Sequence, residues 1–97
     1  MKTIKEIKNI LKTHMHDLDE HFKIKQIGIF GSYVRGEQNA NSDIDVIVEF
    51  KERIGLFGES SMEIYLEKLL KSKVDLIPKE DIRKEIKKQI LSEVIYL

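Results

Sequence analysis

Residues 31–48, GSYVRGEQNANSDIDVIV from Gly31 to Val48, contain the turn, the loop and the strand around which the remaining elements can be arranged. The stretch ends in an alternating run, Asp43-Ile44-Asp45-Val46-Ile47-Val48. Side chains on a strand alternate between faces, so Asp43 and Asp45 share one face only two residues apart. Carboxylates that close raise each other's pKa and cost stability unless a cation joins them. Upstream, Gly31-Ser32 breaks a second strand-like run, Ile27-Gly28-Ile29-Phe30, and Tyr33-Val34-Arg35 can then form one helical turn stopped by Gly36. Such a turn aims backbone N–H groups at an anion. One end of the stretch therefore suits phosphate. The other suits Mg²⁺, which binds through one or two carboxylates together with the phosphates of a substrate. The pattern implies a site for a metal-bound nucleotide. Taken singly, each piece has a plainer reading, a connection between strands in which Ser42 and Asp43 only make turn hydrogen bonds; the order of the pieces is what that reading leaves unexplained.

Working outward, residues 24–30 form the first strand and 43–50 the second, with Glu37 to Ser42 as a polar loop between them. Ahead of both, Ile4, Ile7, Leu11, Met15 and Leu18 recur at steps of three and four, which predicts one amphipathic helix over 2–21, capped by Thr3 with Glu6 three places on. His14, His16 and His21 near its end lack the further ligands a metal set needs and are read as solvated or helix-terminal. After the second strand, Lys51 to Ser60 holds Gly55 and Gly58 without a period and is expected to be a loop. Its Ile54, Leu56 and Phe57 are expected to fold back over the sheet, the alternative being an exposed apolar patch for a partner. Met62, Tyr65, Leu66, Leu69 and Leu70 then mark a helix, with Ser60 and Glu63 as its capping box. Lys73-Val74-Asp75-Leu76-Ile77 is a third strand closed by Pro78. Asp75 is either a surface residue or a third metal-site carboxylate from a neighbouring strand. Ile82, Ile86 and Ile90 give a last helix over 80–91, and residues 92–97 either extend it or form a short strand.

With 97 residues the chain is expected to be one domain, 1–97, burying roughly 60 to 65% of the surface its unfolded form exposes. The expected fold class is α/β (α+β), a small mixed β-sheet flanked by helices. Seventeen basic residues balance seventeen acidic ones, which argues against a general nucleic-acid binder. Cysteine is absent, so no disulfide holds the fold and no thiol does chemistry. No apolar run approaches the ~18 residues of a membrane span and the N-terminus lacks a signal-peptide core, so a cytoplasmic location is expected.

GSYVRG followed by NSDIDVIV resembles the minimal nucleotidyltransferases of the DNA-polymerase-β-like superfamily, whose signature is Gly-Ser, a short spacer, Gly, then Asp-x-Asp at the start of a strand. The resemblance continues through VDLI and the terminal SEVIYL. It implies the polymerase-β-like core fold. It further implies that Gly31 and Ser32 bind the triphosphate of ATP, that Asp43, Asp45 and Asp75 hold two Mg²⁺ ions, and that Arg35 contacts phosphate as a fork. For Arg35 the competing reading is a surface salt bridge. A hydroxyl would attack the α-phosphorus in line and pyrophosphate would leave, with Asp75 helping the hydroxyl lose its proton. Larger relatives carry an extra helical domain that completes the acceptor pocket, and no residues remain here for one. The acceptor is therefore expected on a partner, which the resemblance identifies as a HEPN-type toxin in a hetero-oligomer, with this chain as the AMP-transferring antitoxin. Neutralisation by binding alone is the alternative, and a nucleic-acid-binding regulator the third reading. Intact Asp43, Asp45 and Asp75 favour the enzyme.

Overall fold

The computed structural model describes residues 2–97. The alternating run becomes an inner strand, β2 (Ile44–Phe50), between β1 (Ile24–Phe30) and β3 (Val74–Pro78); β4 (Ile95–Tyr96) completes a sheet ordered β3-β2-β1-β4. β2 and β4 both run antiparallel to β1, whereas β3 is parallel to β2, so the sheet is mixed as expected. A parallel neighbour requires a crossover, and α4 (Gly55–Leu70) supplies it. The other helices are α1 (Ile4–Thr13), α2 (Met15–Phe22), the single turn α3 (Ser32–Arg35) and α5 (Lys84–Glu93).

The period of two divides β2 between two cores. Ile44, Val46 and Val48 face the larger one, where α1, α2 and α4 bring Ile7, Leu11, Leu18, Met62, Leu66 and Leu70, all fully buried. Each such side chain contributes roughly 1.5–3 kcal/mol by leaving water. The opposite face of β2 carries Asp45 and Ile47, in register with Asp75 and Ile77 of β3. Among the described residues only a small cluster, Phe30, Ile47 and Ile90, is buried there, and α5 covers it.

Several elements depart from expectation. The helix over 2–21 is two helices broken at His14, whose backbone leaves helical geometry at φ −103°, ψ 10°. Thr13 Oγ1 and His14 Nδ1 both donate to carbonyls one turn back, Asn9 at 2.8 Å and Ile10 at 2.9 Å, and such back-bonding bends helices. The Thr3–Glu6 capping box forms as expected. His21 Nδ1 likewise donates to the Asp17 carbonyl at 2.8 Å, and His16 lies 3.5 Å from Glu20. The loop expected over 51–60 ends at Ile54, because α4 already begins at Gly55 and Ser60 lies inside it, not at its cap. Gly58 misled as a breaker: a Cβ there would sit 2.9 Å from Ile54 Cβ, so its missing side chain serves packing. Ile54 packs on the core, but Leu56 and Phe57 are 80% and 92% exposed on the outer side of the first turn and do not fold back.

The last helix starts at Lys84, not at residue 80. Pro78 leads into a 3₁₀ turn, Lys79–Asp81, and Ile82 and Arg83 are extended, so Ile82 reaches the small cluster from outside the helix. Ile86 is exposed and Ile90 buried. The C-terminus combines both alternatives, helix to Glu93 and then β4 against Gly28 and Ile29. A Cβ at Gly28 would lie 2.7 Å from Val94 Cγ2 and 2.9 Å from Tyr96 Cδ1; the bare backbone is what lets this corner close. Among the described residues no helix is long and apolar enough to cross a membrane.

Candidate active site

Register alone places two of the three expected carboxylates together. Asp45 and Asp75 are partners across the parallel pair at the N-terminal ends of β2 and β3, and Asp43, two residues before Asp45, extends the same face. Asp43 and Asp75 are exposed and Asp45 is half-buried. Burial, then the neighbouring charges of Asp75 and Asp43, push the Asp45 carboxyl up to about 6, with Glu93 adding to the rise and Arg35 opposing it. The turn bonds of the preceding loop are made by Asn39, Asn41 and Ser42: Ser42 Oγ accepts from the Asn39 N–H at 2.9 Å and Asn39 Oδ1 from the Asn41 N–H at 2.8 Å. The plain turn reading thus holds for Ser42.

Gly31 joins β1 to α3 with φ 82° and ψ −154°, and Phe30 before it is paired with Asp45. A Cβ on Gly31 would run into Asp45 Oδ2. Glycine is required here twice over, by the positive φ and because the backbone lies directly on the carboxylate. The Gly31 carbonyl accepts from the N–H groups of Val34 at 3.0 Å and Arg35 at 3.2 Å, which closes α3, and Gly36 at φ 72° ends it. Ser32, half-buried, opens the turn beside the acids.

Sequence reasoning missed Glu93. Its Oε1 accepts from the Gly31 N–H at 3.0 Å, and Arg35 Nη1 donates to Oε1 at 3.0 Å and Oε2 at 3.1 Å. Arg35 Nε donates to Glu37 Oε1 at 2.8 Å, and the bonds to Glu37 and then Glu93 hold the guanidinium's pKa above its ordinary value. The salt-bridge reading of Arg35 therefore describes the observed contacts. No periodicity or spacing links residue 93 to residue 31. The connection exists only because β4 pins the end of α5 beside β1.

The donors that face one another here are carboxylate oxygens, hard ligands of the kind Mg²⁺ takes. Among the described residues no three His, Cys, Asp or Glu side chains, Asp43, Asp45 and Asp75 included, are gathered closely enough to hold a metal ion by themselves. An open acidic face of this kind fits an ion whose remaining ligands come from substrate phosphates and water. A groove of about 560 Å³ at the far end of β2, reaching Val48, Phe50 and Pro78, contains none of these residues.

The nucleotidyltransferase domain family model matches residues 4–97. The chain is 44% identical over 97 residues to the protein adenylyltransferase MntA of Thermococcus cleftensis, an alignment covering 100% of this chain and 98% of that one. A solved structure described as a candidate minimal nucleotidyltransferase superposes with a TM-score of 0.82 at 26% identity, covering 99% of this chain and 97% of the other. A crystal structure of a toxin–antitoxin with AMP-PNP contains a chain that matches at TM-score 0.74 and 26% identity, over 88% of this chain and 69% of that one.

Proposed function

This chain belongs to the nucleotidyltransferase domain family, and on that premise we propose that it transfers AMP from Mg·ATP to a hydroxyl of a partner protein, a HEPN-type toxin, and acts as that toxin's antitoxin in the cytoplasm. The observation that carries the reading is the pairing of Asp45 with Asp75 directly beside the bare backbone of Gly31. Adenylyl transfer to protein is supported by the Thermococcus relative. The nucleotide and the toxin are supported by the AMP-PNP complex and by the family resemblance of GSYVRG and NSDIDVIV.

In this reading residues 1–97 act as one catalytic unit. Gly31 N–H, the Ser32 hydroxyl and Arg35 hold the β and γ phosphates, and Asp43, Asp45 and Asp75 hold two Mg²⁺ ions. When bound, the metal pair supplies charge stabilisation at both the entering and the leaving oxygen. The acceptor oxygen forms a bond to the α-phosphorus as the bond to the bridging oxygen breaks; AMP stays on the acceptor, pyrophosphate leaves, and the hydroxyl proton is lost beside Asp75. The elevated pKa of Asp45 reflects its burial first and then the charges of three neighbouring acids, a field that a cation relieves.

A ligand that binds only the folded form stabilises it by about 2.7 kcal/mol at a hundred times its Kd. Saturating ATP should therefore raise the melting temperature in the presence of Mg²⁺, and Ser32→Ala should shrink the rise. Equal shifts with and without Mg²⁺ contradict the metal-bridged site.

A further inference from the structure

Two donor groups at the mouth of the site, making three hydrogen bonds, are already committed to an anion, and that anion is part of the chain. Glu93 takes the Gly31 N–H through Oε1 and the Arg35 Nη1 through both carboxylate oxygens, at 3.0, 3.0 and 3.1 Å. Its side chain is only 17% exposed. A carboxylate received by a turn N–H and a guanidinium is chemically equivalent to a phosphate oxygen received by the same groups. A triphosphate and Glu93 cannot both use them, since the two are like-charged and the donors are the same. The backbone of Glu93 is fixed: the Val94 N–H donates to the Ile90 carbonyl at 3.0 Å, the Leu97 N–H to the Ile27 carbonyl at 3.0 Å, and Gly28 leaves room for Val94. Its side chain, by contrast, has three rotatable bonds and projects from the last residue of α5.

We propose that Glu93 is a built-in competitor for the triphosphate subsite, a specificity-determining residue whose carboxylate must swing off Gly31 and Arg35 before phosphate can take its place. The inference rests on the nucleotide reading above. Displacing three hydrogen bonds, two of them from a guanidinium, selects ligands that return anionic phosphate oxygens to the same donors, so a metal-bound triphosphate or pyrophosphate is accepted and a nucleoside is not. When pyrophosphate leaves, the return of Glu93 to the same donors opposes its rebinding.

The test is calorimetric titration of Mg·AMP-PNP, pyrophosphate with Mg²⁺, and adenosine into the wild type, Glu93→Gln and Glu93→Asp, with a thermal melt of each protein. Glu93→Gln keeps the shape but loses the charge. A charge-assisted hydrogen bond is worth enough to expect about tenfold tighter binding of Mg·AMP-PNP and of pyrophosphate, with adenosine unchanged. Arg35→Ala added to Glu93→Gln should remove most of the gain, because the released guanidinium is what produces it. Glu93→Asp, one methylene shorter, loses reach to one donor and should shift affinity in the same direction by less; it serves if Glu93→Gln fails to fold. Equal or weaker binding of Mg·AMP-PNP by a folded Glu93 variant overturns the competitor and makes the residue a brace for the turn. Absence of Mg·AMP-PNP binding in every protein overturns the nucleotide reading itself, and this inference with it.

Discussion

On one side of β2, Ile44, Val46 and Val48 lie beneath α1, α2 and α4; on the other, Asp45 and Ile47 share their face with Asp75, and one helix, α5, covers part of it. The same seven residues thus serve two environments through nothing more than the alternation of a strand. The difference shows where carboxylates can be placed cheaply. An ionised Asp on the sealed face would face a large desolvation cost, whereas at the uncovered end of the thin face Asp45 is half-buried and its neighbours Asp43 and Asp75 reach water. Packing is concentrated on one face and the candidate site lies on the other, and Glu93 at the end of α5 is where the thin cover meets that candidate site.

The largest expected effect tests the chemical face. If Asp45 holds metal as proposed, Asp45→Asn should lower AMP transfer by about a thousandfold or more, since losing a metal ligand removes several kcal/mol of transition-state stabilisation. Measured without divalent metal, the same variant should melt no lower than wild type, because a repelled carboxylate has been removed. A variant that loses both activity and stability would make Asp45 structural and break the division between faces. Next in size is packing. Leu66→Ala, in the sealed core, should cost about 3 kcal/mol in a denaturant titration, and Ile90→Ala, beneath the edge of α5, nearer 2 kcal/mol. Equal costs would mean that the small cluster is as tightly packed as the large one.

The smallest effect is the pH dependence of stability. The folded-state pKa of Asp45 lies near 6 against an ordinary 3.8, so the folded form binds this proton more tightly than the unfolded one. Stability from this group is fully present below about pH 4 and is lost as pH rises through 6. The wild type minus Asp45→Asn difference in stability should therefore decline from pH 4 to pH 7 in metal-free buffer; a rise over that range contradicts the crowding of acids on this face.

Much of this architecture could be read from the sequence, and for local reasons. β1, α3 and β2 followed from alternation, Gly-Ser and the stop at Gly36, and the core of α4 from Met62, Leu66 and Leu70. What could not be read depended on tertiary contacts. Gly58 looks like a breaker until Ile54 is packed against it. Thr13 and His14 look helical until their side chains return to the backbone. Ile82 keeps the step of four yet lies outside α5, since Pro78 and the 3₁₀ turn delay the helix. In the site, Asp43 and Asp45 share a face by spacing, but the place of Asp75 depends on parallel register with β2 and that of Glu93 on the pairing of a two-residue strand. A contact between residues 93 and 31 leaves no local signal.

The most direct measurement is the mass of the partner toxin after incubation with Mg·ATP and either the wild type or Asp43→Asn, alongside its remaining toxicity. Asp43→Asn nearly preserves shape while removing one charge from the acidic face, so partner binding should survive. An added AMP on a toxin hydroxyl is expected with the wild type and none with the variant, together with loss of neutralisation. If the variant neutralises the toxin as fully as the wild type and neither leaves AMP on it, the chain works by stoichiometric binding and the catalytic reading is wrong.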